Sequence, residues 1–137
     1  MIETQRHKDT KEVLENPLSF KIIGAAIEVH RTLGGPGLLE SIYESALCHE
    51  LFLQGLKVQS QVPVEVCYKG IKIQDPLYID ILVEGCIIIE VKATENHHPI
   101  YDVQLLTYLR LTGLRLGLII NFGSRQVKEG IRRVING

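Results

Sequence analysis

Residues 77–93 read LYIDILVEGCIIIEVKA, two apolar runs separated by Glu84-Gly85. Both runs are made of strand-forming residues and a glycine sits between them, so the stretch predicts a β-hairpin. Three charges interrupt the ribbon: Asp80, Glu90 and Lys92. Side chains alternate faces along a strand, which places Glu90 and Lys92 on the same side. The position of Asp80 depends on the turn. A two-residue loop pairs Val83 with Cys86 and sets Asp80 opposite Ile89, with Glu90 on the other face. A three-residue loop, Glu84-Gly85-Cys86, pairs Val83 with Ile87 and Asp80 with Glu90, and Gly85 makes the positive-φ bulge it needs inexpensive. On this second register two carboxylates and an ammonium share one patch.

Such a patch is costly. Like charges placed directly opposite one another destabilise a strand pair by up to roughly 1 kcal/mol, and by more when buried. Lys92 offsets one carboxylate; a divalent cation between the two does so better. Mg²⁺ takes hard oxygen ligands and is often held by one or two protein carboxylates, with phosphate oxygens and water completing the shell. The plain alternative is a cross-strand salt bridge on a solvated sheet face. Ile87, Ile88, Ile89 and Val91 leave no solvated face, so the strand reads as buried on both sides, where charges are paired or used.

The chain has 137 residues and is 45% apolar, which predicts one folded domain with a real core. With 15 basic and 16 acidic side chains there is no basic excess, so any nucleic-acid contact is local. No apolar run approaches the ~20 residues of a membrane span, and the polar N-terminus does not resemble a secretory signal. Cys48, Cys67 and Cys86 are dispersed with no CxxC pair, which argues against zinc and a disulfide framework and predicts a cytoplasmic location.

Around the hairpin the elements follow in order. Residues 1–15 predict a polar arm or a loose helical turn, and 16–137 a single domain. Asn16-Pro17 reads as the start of a helix whose stripe is Ile22, Ile23, Ala26, Ile27, His30 and Leu33. His30 on that stripe reads as a packed, hydrogen-bonded core histidine. Gly34-Gly35-Pro36-Gly37 ends the helix. A second helix, residues 38–53, has Leu39, Ile42, Tyr43, Ala46, Leu47 and Leu53 as its inner face, with Glu40 bordering it. Residues 57–68 predict a strand, with Pro63 marking an edge or bulge. After Lys92 comes a polar loop, then a helix opened by Pro99, stopped by Gly113 and apolar nearly all round, hence well buried. Gln104 and Tyr108 lie one turn apart on it, and His97-His98 precede it on the loop. Residues 115–121 predict an interior strand, parallel to its neighbour through a right-handed crossover. Val127, Ile131, Val134 and Ile135 predict a final helix. The order is α-α-β-β-β-α-β-α.

Asp80, then nine residues, Glu90, one residue and Lys92, set in that order of elements, resembles the PD-(D/E)xK nuclease superfamily. Gly37-Leu38-Leu39-Glu40-Ser41-Ile42-Tyr43 resembles the signature of the small GxxExxY family within it, and Gln104-Leu105-Leu106-Thr107-Tyr108 resembles the QxxxY motif of RecB-like members. The resemblance spans almost the whole chain. It implies an α/β restriction-endonuclease-like core, a mixed four-stranded sheet flanked by helices. It implies Asp80 and Glu90 as metal ligands, joined by the carbonyl of Val91 and by Glu40 from the first core helix, with Mg²⁺ or Mn²⁺ as the cofactor. Lys92 would orient the attacking water or stabilise developing charge. Gln104 and Tyr108 would support the site, with Tyr43 beside them.

The function implied is metal-dependent hydrolysis of phosphodiester bonds in DNA or RNA, by a protein that could act as a homodimer. Two other classes compete with it. One is a non-catalytic nucleic-acid- or protein-binding module that keeps the nuclease fold. The other is a protein-interaction subunit in which the charges form a structural ion-pair network, and there divalent ions would leave the melting temperature unchanged.

Overall fold

The computed structural model describes the backbone of residues 2–137 and the side chains of residues 16–137. Helices α1 (Ile2–Thr32) and α2 (Glu40–Leu53) come first, followed by strand β1 (Val58–Val64) and the short pair β2 (Cys67–Tyr68) and β3 (Ile71–Lys72). Then come β4 (Leu77–Val83), β5 (Ile87–Lys92), α3 (Pro99–Thr112), β6 (Leu116–Asn121), a 3-10 turn (Val127–Gly130) and β7 (Ile131–Ile135). Five strands form one sheet in the order β1-β4-β5-β6-β7, while β2 and β3 form a separate ribbon. The pair β5–β6 is parallel, joined through α3; the other neighbours are antiparallel.

The hairpin β4–β5 takes the three-residue register, pairing Val83 with Ile87 and Ile81 with Ile89. Glu84 and Gly85 both have positive φ, 52° and 65°, and the Cys86 N–H donates to the Val83 carbonyl at 3.0 Å. The sheet is buried on both faces. On one face α1 and α2 pack Ile22, Ala26 and Leu47 against Ile81, Ile89, Val91 and Leu118. On the other, α3 packs Leu105 and Leu109 against Ile79, Ile88, Ile119 and Val134. The buried run of β5 and the edge position of Pro63 on β1 agree with the sequence.

At Asp80 the regular pattern breaks. Residues two apart on a strand share a face, yet Ile81 packs with α1 and α2 while Ile79 packs with α3. β1 changes face at the same level: Val58 packs on the first side and Val62 and Val64 on the second. Between them Gln61 has φ 51°, and the ladder pairs Ser60 with Ile81 and Val62 with Ile79 but omits Gln61 and Asp80. The β4–β5 ladder stops at Ile81–Ile89. Past that point β4 and β1 turn away together, and the sheet forks where the charges lie.

Several expectations are corrected. The predicted final helix is strand β7, so the sheet has five strands rather than four. Every residue of β6 is buried, and β7 supplies the partner that its outer backbone groups need. Ile131, Val134 and Ile135 are β-branched and match a strand as well as a helix. Asn16-Pro17 does not start a helix: α1 runs through Pro17 at the cost of one backbone bond. Leu18 and Ser19 are already packed inward just after it. Whether residues 1–15 are a solvated arm lies outside the described side chains. On α2 the inner face is Tyr43, Leu47 and Leu51, while Leu39, Ile42 and Leu53 are exposed. Helix α3 buries only Leu105 and Leu109 and leaves Ile100 and Val103 exposed, because one face of it meets the sheet and nothing in the described residues covers the other. Among the described residues no helix is long and apolar enough to cross a membrane.

Helix α3 packs directly onto Gly117 of β6, where an added Cβ would lie 2.7–2.8 Å from the side chain of Leu105. Leu105 is fully buried, so it cannot swing clear. Gly117→Ala is therefore expected to cost about 1–3 kcal/mol by overpacking, read as a drop in thermal midpoint. An unchanged midpoint would show that the α3–sheet contact is looser than described.

Candidate metal and catalytic centre

The fork brings the hairpin charges together. Where the ladder would continue, the Asp80 carboxylate takes its place: Oδ2 accepts from the Val91 N–H at 2.9 Å. In return the Asp80 N–H donates to Glu90 Oε1 at 3.4 Å. Two side chains thus stand in for backbone partners across the split. The Lys92 carbonyl accepts from Phe122 on the far side. Backbone groups alternate direction along a strand, so the carbonyl of Val91 faces the Asp80 side.

Glu90 is buried, and burial together with the Asp80 charge pushes its carboxyl up to about 9. A side-chain hydrogen bond to Asp80 also raises it, which requires a proton on one of the two. A second element adds carboxyls. Glu40 and Glu44, one turn apart on α2, are both raised, first by burial and then by the neighbouring Asp80 charge. For Glu40, Lys92 pulls the other way. Gln61 Nε2 donates to Glu44 Oε2 at 2.9 Å and to Asp80 Oδ1 at 3.4 Å, so the residue with strained φ bridges two acids. Among the described residues no three His, Cys, Asp or Glu side chains converge closely enough to hold an ion by themselves.

Lys92 points to the α3 side, with Nζ 4.7 Å from the centroid of the Tyr101 ring, a cation–π contact. His97 meets that ring edge-on at 5.6 Å and is held by Asp102 at 2.9 Å, which Arg132 of β7 also binds. His98 caps α3 by accepting from the Ile100 N–H. The two loop histidines therefore brace α3 and its tyrosine and do not converge on one position. Tyr108 is half-buried, and its phenol is raised by burial, then by the Glu90 and Asp80 charges, which places it beside the acids. Gln104, one turn earlier on the same helix, is exposed.

Tyr43 does different work. Its hydroxyl donates to the Gly35 carbonyl at 2.7 Å and accepts from the Leu38 N–H at 3.1 Å. Its ring stacks on Phe122 at 4.7 Å. It clamps the glycine loop, in which Gly37 has φ 110°, and so fixes where α2 and Glu40 begin. His30 is the expected core histidine, bonded through Nε2 to the Ser124 carbonyl at 3.1 Å.

Glu44, Gln61, Tyr101 and Asn121 were not singled out from sequence. For Glu44 the signal was present, since it lies at i+4 from Glu40 and shares its face. Gln61 and Tyr101 reach the site only through a backbone kink and a loop, which no periodicity reports. Asn121 is buried, and its Oδ1 accepts from the Thr94 and Gly123 N–H groups at 3.0 and 2.9 Å, which fixes the chain just after Lys92.

The buried acid gives a pH signature. A carboxyl raised from the ordinary 4.5 to about 9 binds its proton more tightly folded than unfolded, so it lowers stability as pH rises across that window. Metal-free protein is expected to lose several degrees of thermal midpoint between about pH 5 and pH 9, each ~1 kcal/mol being worth roughly 4 °C. Glu90→Gln should flatten that profile; parallel profiles would contradict the assignment.

A family model of the PD-(D/E)XK nuclease superfamily matches residues 16–134. No curated protein and no solved structure matches the chain. The matched span holds the forked sheet, the helix α2 that brings Glu40 and Glu44 to it and the lysine beside them, and the chain belongs to the PD-(D/E)XK nuclease superfamily.

Proposed function

We propose that this chain is a divalent-metal-dependent nuclease that hydrolyses phosphodiester bonds in DNA or RNA. The observation that carries the reading is the meeting of Asp80 with the buried Glu90 at the fork, each carboxylate accepting a backbone N–H of the opposite strand, with Glu40 and Glu44 adding acids from α2. The backbone N–H groups of Asp80 and Val91 use one oxygen of each acid, and keeping two carboxyls side by side at this depth remains costly. A cation that displaces the proton removes that cost.

The donor set fits Mg²⁺ or Mn²⁺. The carboxyl oxygens of Asp80 and Glu90 and the Val91 carbonyl are hard donors, and these ions accept few protein ligands when phosphate and water supply the rest. Glu40 stands at the rim as a further acid. When bound, the ion would lower the pKa of a water and neutralise the scissile phosphate. The protein groups do the remainder. Asp80 keeps its geometry through the Val91 N–H and Gln61. Lys92, steadied on the Tyr101 ring, offers its ammonium to the charge that builds on the phosphate oxygens. Tyr108 lends a hydroxyl beside the acids, and exposed Gln104 a side chain to the nucleic-acid backbone.

The test is cleavage of a labelled panel of DNA and RNA, single- and double-stranded, with Mg²⁺ or Mn²⁺. Wild type is expected to cleave at least one member. Lys92→Ala should lose about 10²-fold or more while keeping the ion-induced rise in thermal midpoint. Cleavage by Lys92→Ala at the wild-type rate contradicts the mechanism. No cleavage by wild type, with the thermal rise intact, contradicts the activity and favours a binding role on the nuclease fold.

A further inference from the structure

Beside the acids, on the side away from α3, lies a cavity of ≈ 420 Å³ lined by Glu44, Ser45, Cys48, His49, Phe52 and Ser60. Its volume falls within the range of small-ligand clefts, roughly 300–1,000 Å³. Glu44 forms one wall and is joined to Asp80 through Gln61, so the cavity begins one side chain from the proposed reaction centre. Phe52 forms another wall. It is 67% exposed, which leaves its ring open to a ligand. Its ring lies 6.4 Å from that of His49 with an interplanar angle of 27°, so two flat surfaces stand nearly parallel at the rim.

We propose that this cavity receives the unpaired base of a nucleotide neighbouring the scissile phosphate, so that the substrate is single-stranded at that position. The inference rests on the nuclease reading above and adds a substrate class to it. Three observations carry it. Among the described residues no lysine or arginine lines the cavity and a glutamate does, so a phosphate is repelled and a neutral ligand with donors and acceptors is favoured. Ser45, Ser60 and Glu44 offer hydroxyls and a carboxyl to a base edge, while Phe52 offers a face for stacking. A base inside a duplex has its faces stacked and its edge paired, so it cannot enter a recess of this kind without leaving the helix.

The test compares wild type with Phe52→Ala, and with Phe20→Ala as a control for losing an exposed phenylalanine, since Phe20 is 80% exposed on α1 and lines none of this cavity. Binding of fluorescent single-stranded and duplex oligonucleotides is measured with Ca²⁺ present, and cleavage of both with Mg²⁺. Base–aromatic stacking worth about 1–3 kcal/mol predicts a loss of roughly 5- to 150-fold in single-strand affinity for Phe52→Ala. Phe20→Ala and duplex binding should be unchanged, and both variants should keep the wild-type thermal midpoint. Ser45→Leu, which sets a bulky side chain in the cavity lining, should reproduce the loss. Wild-type single-strand affinity in Phe52→Ala, or an equal loss in Phe20→Ala, overturns the inference while cleavage by wild type keeps the nuclease reading standing. Absence of any cleavage refutes that reading and this inference together.

Discussion

A side chain takes over a backbone bond at the centre of this protein. The Asp80 carboxylate accepts the Val91 N–H that the next rung of the β4–β5 ladder would have used. There β4 and β1 reverse their faces at Asp80 and Gln61 and leave for the α3 side. The fork needs both acids: Asp80 caps Val91, and Glu90 caps Asp80. Site and fold are therefore one feature, and neither acid can be replaced without disturbing the strand it caps.

The surrounding structure makes this arrangement tolerable. Buried Ile87, Ile88 and Ile89 anchor β5 on both sides before the fork, and Gly117 lets α3 settle directly on the neighbouring strand. Asn121 and Phe122 hold the chain beyond it. The Tyr43 hydroxyl ties the glycine loop to α2, so Glu40 and Glu44 arrive at a set angle. Gathering Asp80, Glu90, Glu40 and Glu44 with Lys92 acting on two of them lowers stability, and proteins keep such conflicts chiefly where function uses them. Lys92 fits that view: its ammonium rests on the Tyr101 ring, which does not neutralise it, while its charge acts on Glu40 and Glu90.

Much of this was legible in the chain. The hairpin, its charges, the crossover helix with its proline and glycine ends, and the edge strand with Pro63 follow from period, propensity and turn chemistry. The choice between two registers was not: both loops are open to Glu84-Gly85-Cys86, and the deciding factor is the rung that Asp80 replaces, a tertiary event. The final strand was misread as a helix because Val127, Ile131, Val134 and Ile135 fit either period. The unsatisfied edge of β6, invisible to local pattern, decides it. Of the site, Asp80, Glu90 and Lys92 were apparent as charges in a buried ribbon. Tyr101 and Gln61 were not, because their approach depends on a loop path and a positive φ that neither residue type announces.

The central claim is the proposal that a divalent cation binds at Asp80 and Glu90, where the buried Glu90 otherwise keeps its proton. Calorimetric titration of Mn²⁺ near pH 7.5, in two buffers of different ionisation enthalpy, tests it most directly. Seating the ion must expel the proton that burial and Asp80 keep on Glu90 up to about pH 9. The account predicts release of about one proton per ion bound, and loss of that release in Glu90→Gln. Ion binding with no proton release, or the same release from Glu90→Gln, would contradict it.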